Sequence, residues 1–489
     1  MPAPAILAID QGTTNTKVLL VAPDGRVLGR ASRPMRLDHP RAGWSEQDAE
    51  AIWTGVVEAI GEVLAATPDV AVAAVAISNQ RETVVLWDAT SGRPLGPAVS
   101  WQCRRSSPRC AALRAAGHDP LVIEKSGLAI DPMFSAGKLA WLLDAVPGAR
   151  DRAAAGGLRA GTIDSWLVWR LTGGAVHATD IGNAARTQLL NLATQAWDAE
   201  LAALFDVPLA LLARPMASDG DFGTMADGVC ALPAGTPIRA VMGDSHAALY
   251  GHGIRAPGGV KVTIGTGSSV MALVEQRAES RNGLSSTIAW GEGGAVRHAL
   301  EGNITVSGQA ARFAVQLLGL ADEDALTELA ASVADSDGVV FVPALAGLGA
   351  PHWQDEARGT ISGMTLATQP AHLARATLEA IAHQIVDVVE AMERDTGATL
   401  PLLSVDGGAT RNDTLLRLLA DLSGRRVVRR PDAELSAIGA AMMAARAMGL
   451  AGEDIDARAG AIFDPSLDPA ARGALRARWR SAVALASRS

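Results

Sequence analysis

Residues 10–17 combine an acidic head with groups that can hold a phosphate. They read Asp-Gln-Gly-Thr-Thr-Asn-Thr-Lys and lie between two short apolar runs. The phosphate-binding groups would be backbone N–H groups, hydroxyls and an ammonium, at Gly12, Thr13, Thr14 and Lys17. The segment is not a P-loop, because it lacks the pattern G-x-x-x-x-G-K-[ST] at the start of a helix. An ordinary tight hairpin would use the same residues, so the segment alone leaves both interpretations open.

Asp10 stands where a bare carboxylate would repel a phosphate. A divalent cation between the two groups removes that repulsion, and Mg²⁺ prefers one or two carboxylates together with waters and phosphate oxygens. The alternative is an Asx turn at the end of a strand. The position inside a phosphate segment favours the magnesium interpretation.

A second segment repeats this plan in the other half of the chain. Residues 260–273 read VKVTIGTGSSVMAL, an apolar run, a small turn and another apolar run, as residues 5–20 do. We therefore predict that each half opens with a β-hairpin, with Thr266 and Gly267 at the second tip. Two such domains would hold a nucleotide in a cleft between them. A dinucleotide-binding fold is disfavoured, because no complete G-x-G-x-x-G occurs.

Strand-like and helix-like segments alternate along the chain, which predicts an α/β fold. At 489 residues the chain is too long for one ordinary core. Apolar spacing predicts helices over 48–66 and 371–394. We place the domain boundary near 245–255, which divides the chain into residues 1–247 and 248–489.

Four large polar residues, at positions 79–82, follow the apolar run AVAAVAIS. Such groups are costly to bury unless they reach water or a ligand. Arg81 and Glu82 together can donate to and accept from several hydroxyls of a polyol. A surface ion pair is the alternative, and the run alone does not decide between them.

Two further segments combine a turn with polar groups. Asp244, in GDSHAAL, could be a helix N-cap or a general base for a substrate hydroxyl. The adjacent Ser245 and His246 do not predict a catalytic triad, since sequence neighbours on a turn seldom form one. In VDGGATRND, at 405–413, two glycines would let an adenine ring lie close to the backbone, although a simple strand-to-helix turn explains them equally.

The bulk composition excludes several classes of partner. The formal net charge is −9 and no long Lys/Arg block occurs, which argues against nucleic acid or an anionic membrane. The start of the chain lacks the features of a signal peptide, and no apolar run reaches the roughly 18 residues needed to span a bilayer. The three cysteines lack zinc or C-x-x-C spacing. We therefore expect a soluble cytoplasmic protein.

Many ordered segments together resemble the FGGY family of carbohydrate kinases, and within it most closely the glycerol kinases. The matching segments are AIDQGTTNTKVLLV, GWSEQDAEAIW, ISNQRETVVLWD, WQCRRS, DPMFSAGKLAWLLD, TIDSWLVWRLTGG, GDSHAALYG, IGTGSSVMAL, GLGAPHWQDEARGTISGMT and DGGATRND. They span nearly the whole chain in the family's order. The resemblance implies two actin-like (ribonuclease-H-like) domains with ATP and Mg²⁺ in the cleft between them.

The resemblance also implies roles for individual residues. Asp10 would serve Mg²⁺, and Asp244 would be the catalytic base for in-line phosphoryl transfer. The acceptor pocket would comprise Arg81, Glu82, Trp101, Met133, Asp244, Ser245 and Ser269. The nucleotide would be held at Gly12, Thr13, Thr14, Lys17, Thr266, Gly267, Gly308, Arg312, Gly408 and Asn412. Lys17 stands where the family often has Arg, and Arg312 stands where glycerol kinases have Gln.

Three pocket positions depart from the glycerol kinases. Met133 replaces a Tyr, Ser245 replaces a Gln, and Ser269 replaces an aromatic residue. These changes should enlarge the pocket, so we expect an acceptor longer than glycerol, such as a tetritol or a pentose-derived polyol or ketose. A true glycerol kinase with an altered pocket is the alternative. The basic loop that binds a sugar bisphosphate inhibitor in some bacterial glycerol kinases is replaced here by DGVCALPAGTPI, so that regulation is not expected.

Rival functions from other classes are a non-kinase actin-like ATPase and a sugar sensor without activity. A chaperone-like ATPase has no reason to build the pocket of Arg81, Glu82, Trp101 and Asp244. The presence of both Asp10 and Asp244 disfavours a sensor. The implied partners are therefore a small polyol or sugar and, since relatives commonly form dimers or tetramers, further copies of the chain.

Overall fold

The computed structural model describes residues 4–450 and 460–487 of the 489-residue chain. The chain divides into two compact units, each assembled from separate stretches. Within the described residues, unit 1 comprises 4–253, 286–298 and 434–450, and unit 2 comprises 254–285, 299–433 and 460–487. The first change of unit lies close to the boundary predicted at 247/248, and two later segments return to unit 1. The assignment of 1–247 and 248–489 as functional domains stays a prediction.

Strands and helices alternate along both units. The strands are β1 (Pro4–Gln11), β2 (Asn15–Val21), β3 (Val27–Pro34), β4 (Glu46–Gln47), β5 (Ala71–Asn79), β6 (Val84–Asp88), β7 (Ala98–Val99), β8 (Leu158–Thr162), β9 (Ala178–Asp180), β10 (Leu190–Asn191), β11 (Ala196–Trp197), β12 (Arg214–Met216), β13 (Ile238–Gly243), β14 (Gly259–Ile264), β15 (Ser268–Val274), β16 (Ser285–Glu292), β17 (Ala295–Ile304), β18 (Val340–Val342), β19 (Thr360–Ser362), β20 (Leu402–Asp406), β21 (Arg426–Arg429) and β22 (Ala461–Phe463).

The helices are α1 (Ala49–Ala66), α2 (Ser107–Ala115), α3 (Asp119–Ser126), α4 (Ser135–Ala145), α5 (Ala149–Ala154), α6 (Ile163–Leu171), α7 (Ile181–Ala184), α8 (Ala199–Phe205), α9 (Asp244–Gly251), α10 (Gly308–Leu318), α11 (Glu323–Ala331), α12 (Pro370–Thr396), α13 (Asp413–Ser423), α14 (Leu435–Ala447) and α15 (Pro469–Ala486). Short 3₁₀ turns occur at Leu209–Leu211 and Gly408–Arg411.

The main sheet of unit 1 has the strand order β13-β5-β1-β2-β3. Strands β1, β2 and β3 form an antiparallel meander, whereas β5 and β13 extend the sheet in parallel on the other side of β1. The apolar stripe of α1 packs on one face, against Leu7 and Ile9, and α14 contacts β1, β5 and β13. Because β1 is central, it reads as a nearly continuous apolar run.

A second sheet of unit 1, in the order β4-β7-β6-β8, supports the loops that carry other predicted site residues. Its strands pack with α4 in an apolar cluster that includes Val84, Leu86 and Leu139. Trp101 follows β7, and Met133 lies just before α4. The packing of this sheet therefore fixes where both residues stand.

Unit 2 repeats the plan of the main sheet of unit 1. Its strands follow the order β17-β15-β14-β20-β21-β22 in a seven-stranded sheet whose remaining strand is β16, beside β17. Strands β14 and β15 form an antiparallel hairpin, and β20 and then β21 are added in parallel beside β14. The hairpin repeat seen in the sequence is thus confirmed as a repeat of topology, with β14 and β15 corresponding to β1 and β2.

The two long helices predicted from apolar spacing are confirmed. Helix α1 begins after Asp48, whose side chain accepts a hydrogen bond from the backbone N–H of Glu50 at 2.9 Å. Helix α12 begins with Pro370 and ends before Gly397, which has a left-handed backbone conformation. Polar N-caps and a terminal glycine are the usual signals for these boundaries.

Helix α9, which begins with the predicted catalytic Asp244, crosses α14 at very short range. A Cβ added at Gly439 would overlap the carbonyl oxygen of Ala247, and one at Gly251 would overlap that of Leu435. Since both obstacles are backbone atoms, neither can move aside cheaply. The two glycines therefore fix how closely α9 lies against α14.

We expect Gly439→Ala to lower the free energy of unfolding by about 2 kcal/mol or more, because the methyl group forces the two helices apart. Chemical denaturation measures this change. Gly61→Ala is the matched control in the same unit, since Gly61 lies in α1 with open space around its Cβ position. It should stabilise the protein by roughly 0.5–1 kcal/mol. Equal effects of the two variants would contradict the close crossing.

Candidate active site

The predicted phosphate segment forms the turn between β1 and β2. The backbone N–H of Gly12 donates to the carbonyl oxygen of Asn15 at 2.9 Å, and a Cβ at position 12 would lie only 3.2 Å from that oxygen. Thr14 is exposed at the tip. Lys17 lies opposite Asp10 in the antiparallel register. A hydroxyl, an ammonium and a carboxylate therefore lie at one end of the hairpin.

Three parallel strands end at the same edge of the main sheet of unit 1. Asp10 in β1 is in register with Ser78 in β5, and Gly243 in β13 is in register with Asn79. Three segments consequently meet at this edge. They are the hairpin of β1 and β2, which we call the phosphate hairpin, the polar run at 79–82 and the start of α9. Open parallel sheets commonly bind ligands at the carboxyl ends of their strands.

Asp10 is a carboxylate in an unfavourable environment. Burial raises its pKa to about 6. The hydrogen bond that its Oδ1 accepts from Ser78 Oγ at 2.8 Å acts to lower this pKa. The carboxylate of Asp244 raises this pKa further, while the ammonium of Lys17 lowers it. A cation beside Asp10 would relieve this repulsion, which is the property that the magnesium interpretation requires.

The polar run at 79–82 is buried, so its interpretation as a surface ion pair is wrong. Arg81 is 7% exposed and Glu82 is 5% exposed. Each residue of the run has its own partner. Asn79 exchanges two amide hydrogen bonds with Asn183, at 3.0 and 3.1 Å. Buried polar groups require such partners.

The charged residues of the run do not pair with each other. Arg81 Nε lies 3.4 Å from Asp244 Oδ1, and Arg81 Nη1 lies 3.3 Å from His246 Nε2. Glu82 accepts from Nε of the fully buried Arg186 at 2.7 Å. Arg81 is thus directed to the predicted base, and Glu82 is paired with a separate cation, Arg186.

Glu82 has a left-handed backbone, with φ of +61°. This conformation is strained for a residue with a side chain and persists where the surroundings determine it. Its carbonyl oxygen accepts from Ser135 Oγ at 3.1 Å, and its carboxylate is fixed by Arg186. Both ends of Glu82 are therefore held in place, which is typical of a functional position.

Asp244 is the first residue of α9, and the N-cap is Gly243. The Asp244 side chain is 39% exposed, and its Oδ1 accepts from the backbone N–H of Ser245 at 2.6 Å. A Cβ at Gly243 would overlap the side chain of Arg81. Glycine before the aspartate therefore makes room for Arg81 to reach the carboxylate.

Met133 and Ser245 are both partly buried in unit 1. The carbonyl oxygen of Met133 accepts from Lys138 Nζ at 2.5 Å. That ammonium is fully buried, and its burial lowers the pKa of Lys138 to about 7, although the Glu82 carboxylate acts to raise it. Lys138 also lies 3.4 Å from the carbonyl oxygen of Ser100, the residue before Trp101.

In unit 2, the second hairpin is fastened to the start of α10. The carbonyl oxygen of Thr266 accepts from the backbone N–H groups of Ser307 and Gln309, at 3.0 and 3.1 Å. The N–H of Gly308 donates to the carbonyl oxygen of Gly265 at 2.9 Å. Cβ atoms at Gly267 and Gly308 would each overlap a carbonyl oxygen. Both predicted nucleotide glycines thus permit close backbone packing at this tip.

Ser269 lies in β15 beside a buried charged pair of residues. Its hydroxyl is 3.3 Å from Lys261 Nζ and 3.4 Å from Glu301 Oε1, and both of these side chains are 1% exposed. The serine that replaces an aromatic residue of glycerol kinases is therefore part of a polar network inside unit 2.

The predicted adenosine residues of unit 2 differ in their surroundings. Gly408 is exposed and has open space at its Cβ position. Asn412 caps α13 by accepting from the N–H of Leu415 at 3.0 Å, and it donates to Thr327 Oγ1 at 2.7 Å. Arg312 is 65% exposed and lies 3.3 Å from Glu323. A role for Arg312 at the nucleotide stays a prediction.

Sequence reasoning missed the residues that support the site. Ser78, Lys138 and Arg186 contact predicted site residues, yet none was singled out. Ser78 follows an apolar run and Lys138 interrupts one. A polar residue at such a position is a signal from which both could have been predicted. Arg186 stands in a short polar stretch, GNAARTQ, that gives no such signal.

Two family models match the chain in sequence order. The N-terminal domain of the FGGY family of carbohydrate kinases matches residues 5–251, and its C-terminal domain matches residues 260–448. The chain belongs to this family. As a member, it is a carbohydrate kinase with the two actin-like domains of that fold family, and ATP is its phosphate donor. This membership favours phosphoryl transfer to a carbohydrate over the function of a non-kinase actin-like ATPase.

Individual proteins are similar over nearly their whole length. An apulose kinase of Pectobacterium atrosepticum is 46% identical, with 99% of each chain covered. A glycerol kinase of Symbiobacterium thermophilum is 46% identical, with 98% of this chain and 97% of the relative covered. The crystal structure of Plasmodium falciparum glycerol kinase with ADP has a TM-score of 0.95 at 28% identity, covering 99% of this chain and 98% of that one.

Two features are absent from the residues that the structure describes. No group of three or more His, Cys, Asp or Glu side chains forms a ready-made metal cage within 4–450 and 460–487. In the same residues, no helix has both the length and the apolar character needed to cross a membrane.

We expect Asp10→Asn to stabilise the ligand-free protein at pH 8 by about 1–3 kcal/mol. The raised pKa of Asp10 means that its deprotonation destabilises the fold as the pH rises from about 4 to 6, and the full penalty remains above pH 6. Asparagine removes that penalty. Denaturation at pH 4 and pH 8 checks this, since the gain should be small at pH 4. An equal gain in stability at both pH values would contradict a destabilising effect of the deprotonated Asp10.

Proposed function

We propose that the protein transfers the γ-phosphoryl group of ATP to a terminal hydroxyl of a polyol or ketose larger than glycerol. The observation that carries this proposal is the arrangement at the sheet edge of unit 1. There Arg81 meets Asp244 at 3.4 Å, while Glu82 is held apart by Arg186. A buried guanidinium, a buried acidic side chain and a partly exposed carboxylate provide the groups that bind and deprotonate a hydroxyl.

Acceptor binding would use Arg81, Glu82 and Trp101. Arg81 donates to hydroxyl oxygens, and Glu82 accepts from hydroxyl hydrogens. Trp101 is partly buried and offers an apolar surface for the carbon backbone of the acceptor. Because these side chains are held by protein contacts, little orientation is left to be fixed on binding.

Asp244 would accept the proton of the attacking hydroxyl. Its side chain is exposed enough to reach a ligand, and the backbone N–H of Ser245 and the guanidinium of Arg81 orient the carboxylate. A general base must lie within hydrogen-bond reach of the hydroxyl that it deprotonates. Phosphoryl transfer otherwise depends mainly on positioning and electrostatic stabilisation.

The residues at the first hairpin fit a bound Mg²⁺. Asp10 would supply one oxygen ligand, and a cation beside it would offset the burial that raises its pKa. The absence of a larger cluster among the described residues also suits Mg²⁺, which is commonly bound by one or two carboxylates and by substrate phosphates. When bound, Mg²⁺ would neutralise phosphate charge. Lys17 and the hairpin N–H groups would orient the same phosphates.

The acceptor is proposed to be larger than glycerol because Met133 and Ser245 stand where glycerol kinases have Tyr and Gln, whose side chains are larger and polar. The similarity to an apulose kinase supports a sugar acceptor, whereas that to a glycerol kinase keeps glycerol as the second candidate. We further propose that the enzyme works as a homodimer or homotetramer in the cytoplasm, where ATP is supplied.

We expect Asp244→Asn to reduce turnover by about 10³-fold or more, because it removes the proton acceptor and retains the shape. ATP affinity, measured by calorimetry, should change by less than about threefold. Ser332→Ala, at an exposed position in unit 2, is the control and should have normal kinetics. Near-normal turnover of Asp244→Asn would overturn the base assignment.

An acceptor screen tests the substrate class. ATP consumption is measured with glycerol, erythritol, pentitols, ketopentoses including apulose, and ketohexoses. We expect kcat/KM to be highest for a four- or five-carbon acceptor. A highest value for glycerol would establish the alternative.

We expect the double variant Met133→Tyr, Ser245→Gln to shift the ratio of kcat/KM values towards glycerol by about tenfold or more. The physical reason is that two polar side chains fill the space and supply contacts that suit a three-carbon substrate. The same screen measures this ratio. An unchanged ratio would show that these two positions do not set acceptor size.

A further inference from the structure

A closed ring of hydrogen bonds joins the phosphate hairpin to the predicted acceptor wall. Trp101 Nε1 donates to Thr13 Oγ1 at 2.9 Å, and Thr13 Oγ1 donates to Gln80 Oε1 at 3.3 Å. On the other side, the backbone N–H of Trp101 donates to Thr83 Oγ1 at 3.1 Å, and Thr83 Oγ1 donates to Gln80 Oε1 at 2.9 Å. All four residues belong to unit 1.

Gln80 is the centre of this ring and is 1% exposed. Besides its two bonds through Oε1, its Nε2 donates to Gln11 Oε1 at 3.1 Å and to Gln47 Oε1 at 2.7 Å. Gln47 Nε2 in turn donates to the carbonyl oxygen of Thr13 at 2.8 Å. Every donor and acceptor of the Gln80 amide is therefore engaged, so its rotation would break several bonds at once.

Thr13 is held at two atoms by this network. Its hydroxyl proton is directed to Gln80, so the hydroxyl acts as an internal link and leaves the backbone N–H as the group that Thr13 offers to a phosphate. Its carbonyl oxygen is fixed by Gln47. The backbone at the hairpin tip thus depends on the side chains of two glutamines.

We propose that Gln80 is a positioning residue that makes the placement of the phosphate hairpin and the placement of Trp101 depend on each other. The inference rests on the proposed function, in which Trp101 contacts the acceptor and the hairpin contacts ATP. An acceptor that packs on Trp101 fixes both bonds from Trp101, and through them Thr13 and Gln80. Binding of one substrate then orders the hairpin for the other, which is a coupling free energy between two sites.

The first test needs neither acceptor nor activity. Hydrogen exchange is measured on the ligand-free enzyme for the segments 11–16 and 99–103. Gln80→Met keeps the side-chain length and removes all four amide bonds, so exchange should accelerate by about tenfold or more in both segments. Gln384→Met is the matched control, because Gln384 is a buried glutamine of unit 2 that donates to Val306. It should accelerate neither segment.

Unchanged exchange in either segment of Gln80→Met would overturn the proposal, and so would equal acceleration in the control. Thr83→Val is a second variant in case Gln80→Met does not fold. It removes one side of the ring, and its effect should be confined to the same two segments and be smaller.

The second test measures coupling between the substrates. The affinity for a non-hydrolysable ATP analogue is determined with and without the best acceptor from the screen. In the wild type the acceptor should tighten nucleotide binding by about fivefold or more. In Gln80→Met this gain should fall below about twofold.

The two proposals fail in different ways. A wild-type enzyme that phosphorylates no acceptor in the panel overturns the proposed function. The exchange experiment still tests the role of Gln80 in that case, because it needs neither acceptor nor activity. A wild-type enzyme with normal turnover whose substrate coupling survives in Gln80→Met overturns the role of Gln80 alone.

Discussion

The candidate site depends on one constraint, which is that β1, β5 and β13 run in parallel and end in register. Asp10 pairs with Ser78 and Gly243 with Asn79, so three polar segments from distant parts of the sequence meet at one edge. Beyond the last paired residue of a strand, the backbone N–H and C=O groups have no partner in the neighbouring strand. They therefore need other hydrogen bonds or a ligand. The phosphate hairpin, the polar run and the start of α9 satisfy one another because of this register.

Charge burial at this edge explains much of the surrounding structure. An unpaired buried charge is strongly destabilising, and Glu82 is accordingly matched by Arg186, which is itself fully buried. Arg81 has its own partners in Asp244 and His246. Asp10 is the exception, because burial and, to a lesser degree, the carboxylate of Asp244 raise its pKa. This environment of Asp10 suits the proposed Mg²⁺, whose charge would offset the cost of burying the carboxylate.

The sequence predicted the fold well because each signal was local. Alternating apolar runs gave both hairpins, and spacing of 3.6 residues gave α1 and α12. The support of the site could not be predicted in this way. Arg186 lies 104 residues from Glu82 along the chain, and only the packed fold brings the two together. The return of two later chain segments to unit 1 could not be predicted for the same reason. The sequence of α14, for example, has the apolar composition of a buried helix but does not indicate which unit it packs against.

In the proposed acceptor pocket, two of the three altered positions can change their side chains without loss of the framework. At Met133 the carbonyl oxygen is held by Lys138, and at Ser245 the N–H is held by Asp244. Both bonds use backbone atoms, so the side chains at these positions can vary while the chain stays in place. Ser269 differs, because its own hydroxyl contacts Lys261 and Glu301. A change there must also accommodate these two side chains, which are both buried.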